Sequence, residues 1–287
     1  MNDALVELAA CQVVKDRERR VPLTLAAPAK LTLSFEVLGV RGDGFHEIRA
    51  QIVTINLADE LTFEAGCGLQ VVDEVVGGFG LRDVPAGDAN LVANALDMVG
   101  GKVGVRLVKH VPSGAGLGGG SADAAAVLRW DGYRSASVAA RLGADVPFCL
   151  RGGSAKVTGI GETVRPAPFE ERHFVLLLLP FGLRTANVYA AWDRLPDSQR
   201  HAAKNDPRPP NDLEQAAIKL EPKLALWHEI FAKAAGVEPR LAGSGSTLFI
   251  EGTRKSLKLD GRDYLVLKGA HAPLVEVSTL PAFGLSA

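Results

Sequence analysis

Cysteine is scarce in this 287-residue chain, with three in all. Cys11, Cys67 and Cys149 lie far apart and are odd in number, which gives neither a disulfide framework nor a metal-ligand spacing. A concentrated basic face is missing too. The 32 Lys and Arg residues nearly balance the 33 Asp and Glu residues, for a formal net charge of −1. Even the stretch Lys15 to Arg20 is mixed in sign. Affinity for a nucleic-acid backbone needs clustered cations, so no nucleic-acid partner is expected. Long apolar runs are absent as well: Phe174 to Phe181 is strand-sized and contains Pro180, and nothing reads as a bilayer span. The opening Met1-Asn2-Asp3 has no basic-then-apolar leader pattern. Together these absences predict a soluble protein of a reducing cytoplasm with no membrane partner.

What is present is core material, 47% apolar residues, in a chain longer than one usual domain. Strand formers fill Leu31 to Leu38, followed by the turn Arg41-Gly42-Asp43-Gly44. Two further strands are expected at Gln51 to Leu57 and Glu60 to Glu64, joined by a turn at Ala58-Asp59. Asn90 is placed to cap a helix through Leu91, Ala95 and Met98. Val103 to Val108 alternates as a strand, and Ser121 to Trp130 reads as an alanine-rich helix. His173 to Leu179 is expected as a strand buried on both faces, and residues 211–235 as helix capped by Asn211 or Asp212 and interrupted at Pro222. The β-rich first half followed by alternating elements predicts an α+β fold of two lobes: an extension at 1–22, one domain at 23–167 and a second at 168–287, with the boundary at Arg165-Pro166-Ala167-Pro168.

Between the Val103 strand and the Ser121 helix lie Pro112, Ser113, Gly114, Ala115, Gly116, Leu117, Gly118, Gly119, Gly120 and Ser121, with five glycines in seven positions. Glycine lets backbone approach an anion closely, and the free N–H groups opening the next helix favour negative charge. Such a loop is a cradle for a polyphosphate. Gly114, Gly116 and Gly119 satisfy the spacing of the dinucleotide fingerprint, but Pro112 and the lack of an early βαβ pattern count against that owner. A Walker A loop needs a lysine after its glycines, and none follows here. A glycine loop without any ligand is the bland alternative.

Pro112 to Ala125 resembles the ATP-binding motif of the GHMP kinase superfamily. Pro28-Ala29-Lys30-Leu31-Thr32-Leu33 is similar to its N-terminal P-x-K-x-N-L element, with threonine at Thr32 where asparagine is usual. Leu241 to Thr247 is similar to its C-terminal glycine-rich element. Two more segments, Arg41 to Ile48 and Leu142 to Phe148, resemble the branch that phosphorylates a cytidine-diphosphate-linked methylerythritol in the non-mevalonate route to isoprenoid precursors. Another small-molecule kinase of the superfamily, or an ATP-binding homologue of weak activity, stays open as an alternative.

The resemblance implies an N-terminal lobe like ribosomal protein S5 and a ferredoxin-like C-terminal lobe, with ATP and Mg²⁺ as cofactors. A monomer or homodimer is expected, with a small cytidine-diphosphate compound as the partner. It further implies that Asp145 acts as general base and that Lys30 offsets charge on the transferring group. Phe45 and His46 are expected at the cytosine, with Thr32, Thr185, Gly243 and Ser244 also on the substrate side. Asn90, Leu91 and Lys109 are expected near the adenine, and Asp123 as a dipole partner in the helix's first turn. Two departures accompany Thr32. Only Val127 to Arg141, broken by Gly132, separates the glycine helix from the Asp145 motif, and Lys255 to Lys268 reads as turn and strand where the family has an amphipathic helix.

Overall fold

The computed structural model describes residues 21–78, 90–100, 103–133, 135–201 and 210–284; the expected extension lies almost wholly outside them. Two sheets carry the chain. The first is built on β2 (His46–Glu64), a 19-residue strand with β1 (Leu23–Val40) antiparallel along one edge. Its other edge is shared end to end by β4 (Gly104–Lys109) and β5 (Ser154–Gly159), with β3 (Gly68–Asp73) parallel to β4 and β6 (Thr163–Ala167) outside β5. The expected turn at Ala58-Asp59 is not there: both residues lie inside β2, paired with Pro28 and Ala27. A polar Asp in a strand mimics a turn signal. Here its carboxylate points inward and is fully buried, because backbone N–H groups and a lysine satisfy it.

Four described helices accompany this sheet: α1 (Leu91–Met98), α2 (Gly119–Asp131), α3 (Ala136–Ala139) and α4 (Val146–Arg151). Asn90 caps α1 as expected, its Oδ1 accepting from Val92 N–H at 2.9 Å. In α2 the buried run Ala122, Ala124, Ala125 and Ala126 brings the helix close to the sheet, and Trp130 stacks on Phe63 of β2 with centroids 4.8 Å apart.

The second sheet has the order β10-β11-β7-β9-β8. Its centre is β7 (His173–Leu177), whose Phe174 to Leu177 are buried on both faces as the unbroken apolar run predicts. Around it lie β8 (Arg240–Leu241), β9 (Leu248–Glu251), β10 (Tyr264–Leu267) and β11 (Ala270–Ser278). The strand expected within 255–268 is β10. After Ser278 the chain returns to the first layer, where Leu280 N–H donates to Thr54 O of β2 and Phe283 N–H to Arg151 O at the end of α4. The helices here are α5 (Thr185–Asp193), the short α6 (Asp197–Arg200), α7 (Glu214–Leu220) and α8 (Lys223–Ala235). Pro222 separates α7 from α8 as expected, but Leu213 occupies the cap position of α7. Asn211 instead accepts from Leu213 N–H and sends its amide elsewhere. Sheet membership changes between Ala167 and His173.

The sheets meet face to face. Ala29, Leu31, Leu33, Val53 and Ile55 of the first pack with Phe174, Leu176, Phe249 and Val277 of the second. Ala115 and Leu117 of the glycine loop are set into the same apolar layer. Burying Leu117 contributes on the order of 1.5–3 kcal/mol to holding the loop down. Its carbonyls are also taken: Ser246 N–H donates to Gly114 O at 3.2 Å and Thr247 N–H to Ala115 O at 3.1 Å. At Gly116, φ is +75°, and an added Cβ would stand 2.2 Å from Ala242 O and 2.8 Å from Gly245 O. Gly116→Ala is therefore expected to destabilise the protein by roughly 1–3 kcal/mol from backbone strain alone, with more from pushing the loops apart. A urea midpoint equal to that of the unaltered chain would show that the two loops do not interlock in this way.

Candidate active site

The glycine loop runs from the end of β4 to the start of α2. Gly118 takes the cap position of α2 with φ +67° and offers no side-chain cap, which leaves the first N–H groups of the helix without a capping side chain. No other residue fits there, because a Cβ at Gly118 would stand 2.9 Å from Lys30 Cγ. The stem of Lys30 thus lies along the loop, and its backbone N–H donates to Leu117 O at 2.9 Å. Pro112, Ser113, Gly116, Gly119 and Ser121 are half-buried, while Gly114 and Gly120 are exposed.

Lys30 carries its ammonium to the junction of three segments. Its Nζ lies 3.5 Å from Asp145 Oδ2 and donates to Thr32 Oγ1 at 3.2 Å. A Cβ on Gly243 would stand 3.4 Å from both Lys30 Nζ and Thr32 Oγ1. The lysine side chain is 8% exposed and that of Asp145 36%, so the ammonium is anchored and the carboxylate opens to solvent. Asp145 opens α4, where the helix dipole favours a negative charge. Thr32, in the place of the usual asparagine, keeps the one acceptor that Lys30 uses. Ser244 Oγ bonds Thr185 Oγ1 at 3.0 Å, and Asn211 Nδ2 donates to Leu241 O and Gly243 O, both at 2.9 Å. The predicted residues Lys30, Thr32, Asp145, Gly243, Ser244 and Thr185 are therefore brought together.

At the other side of the cleft is the β1–β2 hairpin. His46, the first residue of β2, donates from Nε2–H to Asp193 Oδ1, 2.8 Å away, and its ring lies 4.5 Å from that of Tyr189 and 5.5 Å from that of Trp192. Phe45 is 57% exposed at the tip, available to meet a ligand face. Burial pushes the Tyr189 hydroxyl pKa up, and the negative charge of Asp145 adds to that shift, which places the phenol within the field of the predicted base.

Leu91 lies against the start of α2 and the turn before α4, since a Cβ on Gly120 or Gly143 would stand 3.9 Å from its Cδ1, and Asn90 beside it caps α1. Lys109 is turned inward. Its ammonium is buried between Asp59 and Asp123, 2.7 Å from the Asp123 carboxylate, and lies beneath Gly119. Burial alone would lower its pKa, but the two carboxylates win and hold it above the usual lysine value. Asp123 is likewise fully buried and faces Lys109 rather than the helix end.

Sequence reading missed Tyr189, Trp192 and Asp193, which with Thr185 form an i, i+4, i+7, i+8 stripe on α5. That spacing is visible in the sequence and was the available signal. Asp59 and Asn211 carried none, since a buried carboxylate and a loop amide look like turn residues.

The GHMP kinases N terminal domain family matches residues 88–153. A 4-diphosphocytidyl-2-C-methyl-D-erythritol kinase of Pelotomaculum thermopropionicum is 37% identical over 256 residues, covering 79% of this chain and 88% of the relative. The enzyme of that name from Dehalococcoides mccartyi is 35% identical over 257 residues with the same coverages. Among solved structures, a 4-(cytidine 5'-diphospho)-2C-methyl-D-erythritol kinase superposes with a TM-score of 0.67 at 26% identity, covering 90% of this chain and 99% of that one. The L. major mevalonate kinase shares the fold at a TM-score of 0.60 and 14% identity, covering 90% and 96%. With the loop, the lysine–aspartate pair and relatives matched over most of their length, the chain belongs to the 4-diphosphocytidyl-2-C-methyl-D-erythritol kinase family of the GHMP kinases.

Proposed function

We propose that this protein transfers the γ-phosphoryl group of ATP to the 2-hydroxyl of 4-diphosphocytidyl-2-C-methyl-D-erythritol, in the non-mevalonate route to isoprenoid precursors. The observation that carries the reading is the Lys30–Asp145 pair, 3.5 Å apart where the two glycine-rich segments meet. The glycine loop and the N-terminus of α2 receive the phosphates. Mg²⁺ bound with the phosphates at the glycine loop would supply neutralisation of the charge that develops during transfer.

The hydroxyl oxygen attacks the γ-phosphorus, its proton passes to Asp145, and the bond from phosphorus to the β-bridging oxygen breaks to release ADP. Lys30, 3.5 Å from Asp145 Oδ2, offsets negative charge on the group in transit. Thr32 and Asp145 fix the ammonium, so little reorganisation is needed as the charge moves. Phe45 and His46 receive the cytosine, with His46 oriented by Asp193 and Tyr189. The free thiols of Cys67 and Cys149 support a place in the reducing cytoplasm.

Asp145→Asn keeps the shape but removes the proton acceptor. Its kcat is expected to fall about 10²–10⁴-fold with nucleotide binding retained; near-normal turnover in an ADP-release assay would remove Asp145 as the base. His46→Ala is expected to raise KM for the cytidine substrate by roughly tenfold or more, the usual scale for losing a polar contact to a buried base, while KM for ATP holds. An unchanged cytidine KM, or turnover of a mevalonate-type alcohol in its place, would contradict the substrate assignment.

A further inference from the structure

Beneath the phosphate loop, two carboxylates and one ammonium are buried together: Asp59 of β2, Lys109 of β4 and Asp123 of α2, exposed 0%, 3% and 2%. Their bonds reach both ends of the loop. Asp59 Oδ1 accepts the successive N–H groups of His110 at 2.6 Å and Val111 at 2.8 Å, the two residues that lead into Pro112. Lys109 bonds the other Asp59 oxygen and, at 2.7 Å, Asp123 Oδ2 across the fourteen positions that the loop spans. Its ammonium lies 3.2 Å from where a Cβ on Gly119 would stand, directly under the first turn of the helix.

We infer that Asp59, Lys109 and Asp123 are positioning residues for the nucleotide: a buried clasp that fixes the strand before the loop to the helix after it, and so holds the N–H groups in their phosphate-binding arrangement. This rests on the reading of the loop as the ATP site. None of the three touches the reacting atoms.

The clasp also sets the charge under the phosphates. With both carboxylates ionised the cluster would carry −1 below a polyanion. Burial first, and the neighbouring Asp59 after it, outweigh Lys109 and push the Asp123 carboxyl up to about 8. The upward shift favours the protonated carboxyl at neutral pH and so limits negative charge beneath the phosphates. Its other surroundings do not reverse this. Cys149 of α4 is itself pushed up to about 12 by burial, α1 turns Val92, Ala95 and Leu96 inward and Asp97 to solvent, and Lys30 of β1 lies beyond Gly118 with Asp145. Above about pH 8, ionisation of Asp123 adds a buried negative charge that opposes bound phosphate.

The test is steady-state kinetics of the full chain with ATP, Mg²⁺ and the cytidine substrate, varying each substrate separately. Asp59→Asn sets an amide N–H against the Lys109 ammonium and so opens the clasp, and it is expected to raise KM for ATP roughly tenfold or more through the lost arrangement of the loop, with KM for the alcohol changed less than about twofold. In the unaltered chain KM for ATP is expected to climb between about pH 7.5 and 9 as Asp123 ionises, and Asp123→Asn flattens that climb. Equal changes in both KM values, or an alkaline rise that persists in Asp123→Asn, would overturn the clasp. Should Asp59→Asn not fold, the Asp123→Asn pH profile decides alone. An unaltered chain that neither binds nor turns over ATP would overturn the ATP site itself, a result distinct from failure of the clasp.

Discussion

Two backbone hydrogen bonds, from Ser246 and Thr247 to the carbonyls of Gly114 and Ala115, bind the phosphate loop to the second sheet, and the site depends on that junction. It closes only because Gly116 has no side chain to hold the loops apart. Once it is closed, Lys30 from the first sheet and Gly243 from the second stand within contact of one another, with Asp145 beside them. The glycine loop, Lys30 and Asp145, which we propose as nucleotide cradle, charge clamp and proton acceptor, come from three separate stretches of sequence, and the face-to-face packing of two sheets is what converges them. The apolar layer that includes Ala115 and Leu117 makes this convergence a property of the core rather than of a surface loop.

The polar groups around the site divide by exposure. Lys30 and Lys109 are buried and partnered, while Asp145 keeps an open side toward solvent. A buried ammonium with fixed partners is an electrostatic element that needs no rearrangement during phosphoryl transfer. An exposed carboxylate can meet a substrate hydroxyl. Along α5 the same division recurs: Trp192 is buried, whereas Asp193 is exposed where it meets His46.

Much of this was legible in the sequence, for identifiable reasons. Glycine spacing, the Lys30 and Asp145 motifs and the Asn90 cap are local patterns whose physics acts over a few residues; the structure shows the cap and brings Lys30 and Asp145 together beside the glycine loop. The strand at β7 was readable because an unbroken apolar run has few other uses. What escaped was non-local. Asp59 reads as a turn residue until β4 supplies the N–H groups that satisfy it, and Asn211 reads as a helix cap until residues 241–243 arrive to accept its amide. Lys109 was placed at the nucleotide by position, yet its charge is spent inside the fold on two carboxylates that lie 50 and 14 positions away. The short span between α2 and α4 is accommodated by Gly132 ending α2 in a left-handed turn and the four-residue α3 leading toward Asp145.

The most direct test of the convergence is a crystal structure of the protein with a non-hydrolysable ATP analogue, Mg²⁺ and the cytidine substrate bound together. The account predicts the γ-phosphate over the N-terminus of α2, with one substrate hydroxyl in line with it and within hydrogen-bond reach of Asp145, and Lys30 alongside. A hydroxyl presented from elsewhere, out of reach of Asp145, or phosphates bound away from the glycine loop, would contradict it.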